Sequence, residues 1–230
     1  MEHNGTKPLK PIQYAEDQLL RAILKGEYPP GTPLPNERTL ATMVGVTRPT
    51  LRETLHRLAR EGWITIHHGK PTLVNDYWKQ GGLGLLSTLA QYGEYLPPDF
   101  ITHLLEFRVV IMPPIAGLAA RHHADTLAGY LARAGDLPDD TMAYTEYDWE
   151  LQSMLAGLAD NVIYPMIFND FSTLFKSMAQ LYFGMKEGRE SSARYYRNFA
   201  QALPDPLAVE NVVRDVMMES ARLWEETIKS

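Results

Sequence analysis

The chain contains no cysteine. Disulfides and thiolate metal sites are therefore excluded, and a reducing, cytoplasmic setting is expected. No uninterrupted apolar run approaches the roughly 18 residues that span a bilayer, and the opening MEHNGTKPLKPIQ has no signal-peptide core, so no membrane partner is expected. Histidine is confined to one side: all seven lie at or before His123. The remainder of the chain offers no imidazole for a Ser–His–Asp arrangement. The adjacent pair His122–His123 is a poor chelate, because neighbouring side chains diverge by about 100° on a helix. A glycine-rich phosphate loop is also lacking; GGLG at 81–84 follows no strand. Acidic residues are plentiful but scattered. These absences argue against an enzyme and predict no cofactor and no metal.

What is present is a charge asymmetry. The net charge is −6, yet residues 1–78 carry ten Lys/Arg against eight Asp/Glu, and residues 79–230 twelve against twenty. A mildly basic head on an acidic body hints at two functions. At 230 residues the chain suits a small domain followed by a medium one.

The head has a readable order. Residues 1–10 are polar and are expected to be disordered. Ile12, Leu19, Leu20, Ile23 and Leu24 form one helical stripe, which YPPGTPLP stops. Asn36 is a plausible N-cap for a short second helix with Leu40, Met43 and Val44 apolar, closed by Gly45. A third helix is predicted from about Arg48 to Glu61, with Leu51, Leu55 and Leu58 facing the core. Thr47 would cap it, and Pro49 falls in the first turn, where its missing N–H costs little. Because the residue before a proline is pushed from the α region, either Arg48 or Pro49 could be the first helical residue. WITIHHGKPTLVN then alternates as a β-hairpin, with Ile64 and Ile66 on one side, Leu73 and Val74 in the return strand, and HHGKP at the tip.

Three helices and a hairpin make a winged helix-turn-helix. The expected architecture is mostly α: this winged head at 1–76, a linker at 77–84 around Gly81, Gly82 and Gly84, and an all-α bundle of six or seven helices at 85–230. Apolar stripes in that body recur at 83–92, 99–123, 125–134, 139–158, 161–184, 190–203 and 206–228, and Asp205–Pro206 reads as the start of the last helix.

Thr47, Arg48, Thr50 and Arg52 cluster at the end that a recognition helix pushes into the major groove. An arginine fork suits guanine O6 and N7, and hydroxyls and free helix N–H groups suit phosphates. Arg38 is placed for the backbone or a groove edge, and His68, Gly69 and Lys70 for the minor groove. Any one of these arginines, read alone, is as well a solvated helix charge. Arg57 and Arg60 are expected to be such.

The stretch YPPGTPLPNERTLATMVGVTRPTLRETLHRLAREGWITIHHGKPTLVN, Tyr28 to Asn75, resembles the head of the fatty-acid-responsive FadR branch of the GntR-type regulators. The GntR regulators share the winged helix; the GW…HGKPT wing is more specific to the branch. The resemblance implies operator contacts from Arg38, Thr47, Arg48, Thr50, Arg52, His68 and Gly69, and a homodimer reading a pseudo-palindromic double-stranded operator. Pro49 departs from the pattern, where a side-chain donor is usual. Many GntR relatives hold a metal through one Asp and three His; Asp148 resembles that aspartate, but Gln152 stands where a histidine would be needed.

The same resemblance implies a long-chain acyl-CoA pocket in the body, with Arg108, Asp148, Tyr182, Ser220 and Trp224 at effector positions. Read from the residues alone, Tyr182 and Trp224 fit a helical core as well as a pocket, and Arg108 fits a carbonyl cap. Val216 and Met217 stand where the pattern has tyrosine and glycine, and Pro113–Pro114 is expected to interrupt a helix that should run past Arg108. A GntR-type regulator of another metabolite, or a helical protein-binding module, are the alternatives.

Overall fold

The computed structural model describes residues 10–229; the side chains of 227–229 are outside that description, as are residues 1–9, on which most of the expected N-terminal disorder falls. Ten α-helices and one two-stranded sheet are present among the described residues. They form two compact units that divide between Tyr95 and Leu96.

The first unit opens with α1 (Pro11–Leu24), which starts on Pro11 and buries Ala15, Leu19, Leu20 and Ile23. Helix α2 (Glu37–Val44) is capped by Asn36, whose side chain accepts from the Thr39 N–H at 3.0 Å. It buries Leu40 and Ala41, while Met43 is 63% exposed, outside the expected stripe. Gly45 ends α2 at φ +76°, a left-handed conformation that glycine adopts without steric cost. This turn sets the angle to α3 (Arg48–Glu61), where Leu51, Leu55 and Leu58 are buried as the spacing requires. Arg48 is the first helical residue and Pro49 the second.

Strands β1 (Ile64–Thr65) and β2 (Leu73–Val74) pair antiparallel, Ile64 opposite Val74 and Thr65 opposite Leu73. Trp63 and Ile64 enter the core, whereas Ile66 is 40% exposed. Pairing stops at Thr65, so Ile66 belongs to the wing tip and not to the core side of the strand. The segment before α2 adds a further edge to β2: Gly31 N–H donates to Val74 O, Leu34 N–H to Thr72 O, and Pro33 bridges Leu73. Asn75 fastens the wing's base, donating to Gly62 O at 2.8 Å and accepting from the Thr65 hydroxyl at 2.7 Å.

Two short helices follow, α4 (Tyr77–Gln80) and α5 (Gly84–Leu89), then a 3₁₀ segment to Tyr95. These residues belong to the first unit. Tyr92 donates to Asp17, and Arg21 bridges Asp17 and Glu94, so the segment is tied back to α1.

The second unit is all-α: α6 (Phe100–Leu131), α7 (Thr141–Leu158), α8 (Ile163–Gly184), α9 (Lys186–Ala202) and α10 (Pro206–Lys229). Five helices arise from the expected stripes for two reasons. The stripe at 83–92 folds with the first unit, and those at 99–123 and 125–134 join into one helix that kinks at His123 (φ −132°, ψ 29°). Pro113 and Pro114 do not interrupt α6, contrary to the sequence expectation. A proline ring already holds φ near the helical value; what it removes is one hydrogen bond to the carbonyl four residues back. The packing of Met112, Pro113, Ile115 and Ala116, all buried, offsets that loss.

Within Phe100–Asp136 one 18-residue window has a mean hydropathy of 1.4, apolar enough by length and composition to cross a bilayer. A count of uninterrupted runs misses it. Here α6 is the helix along which α10 lies, with α7 and α9 also packed against it. The core they enclose holds Ile115, Ala119, Leu151, Leu155, Tyr196, Phe199 and Val213, each without exposed surface. Reciprocal bonds join α6 to α7: Tyr130 donates to Tyr147 O at 2.8 Å, and Tyr147 to Tyr130 O at 3.1 Å. Asp140 caps α7 and Asp205 caps α10, each through two backbone N–H groups.

Candidate nucleic-acid interface and effector cavity

The N-terminal turn of α3 is built by its cap. Thr47 Oγ1 accepts from the Thr50 N–H at 3.3 Å, and the two threonine hydroxyls bond each other at 2.8 Å. Arg48 and Arg52 project one turn apart, each side chain 59% exposed. Both face Glu37, the first residue of α2. Arg52 Nε and Nη2 donate to its two carboxylate oxygens at 3.3 and 2.7 Å, and Arg48 Nη2 lies 4.0 Å away. The Arg52 fork holds the Glu37 carboxyl below the usual carboxylate range, and Glu37 raises the Arg52 guanidinium in return. Arg38 is exposed beside it.

At the wing, Lys70 N–H faces His67 O, and Gly69 takes φ +71°, which any side chain would strain. His68, Gly69 and Lys70 line one groove together with Asn36, Glu37 and Arg52. A second concave face on α3 is lined by Arg48, Pro49, Arg52, Glu53, His56 and Arg60. The structure thus separates the two arginines expected to be solvated. Arg57 is drawn to Glu53 at 3.3 Å and Glu16 at 3.9 Å, while Arg60 extends the stripe of Arg48, Arg52 and His56 at four-residue steps. The i, i+4 spacing was the available signal for His56 and Arg60. Glu37 carried none, because its contact with Arg52 depends on the angle between α2 and α3.

In the second unit, Arg108, Asp148, Tyr182, Ser220 and Trp224 all line one cavity. Four helices bring them together: α6, α7, α8 and α10. Val216 and Met217 form part of its wall. The cavity is apolar except for a few buried polar atoms, and several of these have no hydrogen-bond partner: Arg108 Nε, Tyr195 OH and Trp224 Nε1. Burial lowers the Arg108 guanidinium, partly countered by Asp148, and raises the Tyr195 phenol well above its usual range. The Arg108 guanidinium sits 5.5 Å from the Phe175 ring centre. A second, almost wholly apolar cavity shares Leu104, Arg108 and Phe175 with the first and is walled by Phe107, Trp149 and Phe171.

Asp148 is buried, and each of its carboxylate oxygens has a protein donor. Tyr196 donates to Oδ1 at 3.0 Å and Gln152 donates to Oδ2. Burial raises its carboxyl above the ordinary value against the pull of Arg108. Its lone pairs serve the core, and no group of three or more His, Asp or Glu suited to a metal is found among the described residues. Ser220 donates to Met217 O of its own helix at 2.8 Å. Tyr195 and Phe175 are cavity residues that periodicity could not single out, since an aromatic at helical spacing reads as core.

Residues 11–74 match the family described as bacterial regulatory proteins, gntR family, and residues 75–230 match the FadR C-terminal domain. Among curated relatives, the fatty acid metabolism regulator protein of Yersinia pestis (strain Pestoides F) is 38% identical over 95% of this chain and 92% of its own. That of Serratia proteamaculans (strain 568) is 36% identical over the same shares. A solved structure, described as Lar controlling the expression of the Listeria monocytogenes agr system, superposes with a TM-score of 0.60. It covers 95% of this chain and 97% of its own, at 19% identity, a likeness of fold. By these matches over both units, the chain belongs to the GntR family of DNA-binding bacterial regulators, with a FadR-type C-terminal domain.

Proposed function

We propose that this protein regulates transcription in fatty-acid metabolism, and that a long-chain acyl-CoA held in the helical unit controls its hold on the operator. The observation that carries the effector half is a pair of neighbouring cavities that share Leu104, Arg108 and Phe175 in their walls: one apolar with polar atoms of Arg108, Tyr195 and Trp224 that no protein group bonds, the other almost purely apolar. Buried polar groups are normally hydrogen-bonded, and a ligand whose polar end meets these atoms while its chain fills the apolar space supplies what they lack. The names of the curated relatives support the same reading.

On the DNA side, Arg38, Thr47, Arg48, Thr50, Arg52, His68 and Gly69 are assigned to the operator, as base and phosphate contacts from α3 and the wing. The protein acts as a cytoplasmic, non-catalytic homodimer, whose two recognition helices read a pseudo-palindrome. The ligand alters operator binding only if it favours the DNA-incompetent arrangement. Calorimetric titration with acyl-CoAs of graded chain length, paired with an operator gel shift, tests this. Saturable binding with loss of the shifted band is expected; an unaltered band at every chain length sinks it. The second reading, a different metabolite, is favoured by Met217, which is buried in the cavity wall and narrows it. Mass spectrometry of the co-purified ligand decides between them.

A further inference from the structure

An acidic residue stands in the middle of the surface assigned to DNA, and the stability it adds there is small. The Glu37–Arg52 pair is solvent-exposed, with side chains 37% and 59% accessible, and exposed pairs contribute little to folding. A carboxylate there also repels the phosphates that the surface must approach. We propose that Glu37 is a positioning residue that sets operator specificity, by fixing the direction of the Arg52 fork and withholding it from the phosphate backbone.

The donor arithmetic supports this. A guanidinium has five N–H donors. Glu37 takes the side-on edge, one from Nε and one from Nη2. The end-on edge, shared by Nη1 and Nη2, stays free, and two donors side by side are what guanine O6 and N7 require. A bidentate carboxylate holds the guanidinium plane, so the free edge is presented in one orientation. A released arginine swings freely and pairs as readily with any phosphate. Glu37 itself is stabilised as an anion at the first turn of α2, where the helix dipole favours negative charge, with Arg48 at 4.0 Å as a second cation.

The inference rests on the assignment of Arg52 to a base edge, and the experiment keeps the two apart. A duplex is selected from a random-sequence pool by the full-length wild-type protein. Its affinity and that of poly(dI-dC) are then measured for wild type, Glu37→Gln, Arg52→Ala and the double variant, each across a salt series. For Glu37→Gln the ratio of selected to non-selected affinity is expected to fall about fivefold or more. Its log–log salt slope on poly(dI-dC) is expected to steepen by about one phosphate, as Arg52 turns to the backbone. Both effects should vanish in the Arg52→Ala background, and Glu37→Asp should restore part of the ratio. An unchanged ratio in Glu37→Gln, or an equal loss with and without Arg52, overturns the positioning role. If Arg52→Ala itself keeps full discrimination, the base-edge assignment falls as well. Thermal melting of each variant, expected to show every one fully folded at the assay temperature with at most a small drop in midpoint, separates these outcomes from unfolding.

Discussion

The two units handle polar chemistry in opposite ways. In the winged unit the functional groups are exposed and pair with one another: Thr47 with Thr50, Arg52 and Arg48 with Glu37. Each contact adds little to folding, and the scaffold beneath holds the helices that carry them. In the helical unit the functional groups are buried, and several are left without partners around an enclosed space. One surface is ready to meet a polyanion at little cost. The other carries buried polar atoms that no protein group bonds, a cost that an occupant of the cavity would relieve. A reading surface is thus organised by what it already bonds, and a sensing cavity by what it does not.

The comparison breaks most visibly if the units do not unfold separately. Trp63→Ala removes a side chain with no exposed surface from the winged unit and should cost about 3–5 kcal/mol there. Denaturant melts followed by circular dichroism should show an early transition with the main helical signal intact; a single merged transition contradicts the division at Tyr95. Next in size is Tyr196→Phe. It strips a buried, charge-assisted hydrogen bond from Asp148 and should destabilise the helical unit by about 1.5–3 kcal/mol, with operator binding by the head preserved. Arg48→Ala should then cost about 1–3 kcal/mol of discrimination between the selected operator and single-base variants, measured by competition gel shift. Arg60→Ala is milder: it should weaken selected and random duplexes alike and reduce the salt slope by about one.

The smallest effect concerns acid. The Glu37 carboxyl is held low, so its contribution is complete above the ordinary carboxylate range and is lost as pH falls through the lowered value. Burial raises Asp148, so that its contribution is full below the ordinary value and is lost as pH rises through the raised one. Acidification should therefore weaken the winged unit at Glu37 while relieving the helical unit at Asp148. Separate melts of the two transitions between about pH 6 and pH 3 check the opposite signs.

How much was legible follows the same division. The head's signals are local: Asn36 and Thr47 as caps, Gly45 at the turn, the Leu51–Leu55–Leu58 stripe, and α3 from Arg48 to Glu61. Each acts within four or five residues, the range over which sequence patterns speak. Contacts across elements were not legible. The pairing of Glu37 with Arg52 spans fifteen positions. In the body, the cavity gathers residues from Ile101 to Trp224, and only resemblance pointed to seven of them, Val216 and Met217 included. Phe175 and Tyr195 look like core in any helical projection. The Pro113–Pro114 expectation failed because a local rule about hydrogen bonds was outweighed by burial along the rest of α6.

Pro49 has a consequence in time as well as in shape. The end of α3 assigned to the DNA is a helix N-terminus, the part of a helix that ordinarily frays. Here the ring of Pro49 at the second helical position fixes one φ angle, and the Thr47–Thr50 cap closes the turn around it. Fewer backbone states remain to be lost when the duplex arrives. On that assignment the probe is folded before the duplex arrives, and binding need not wait for a helix turn to form.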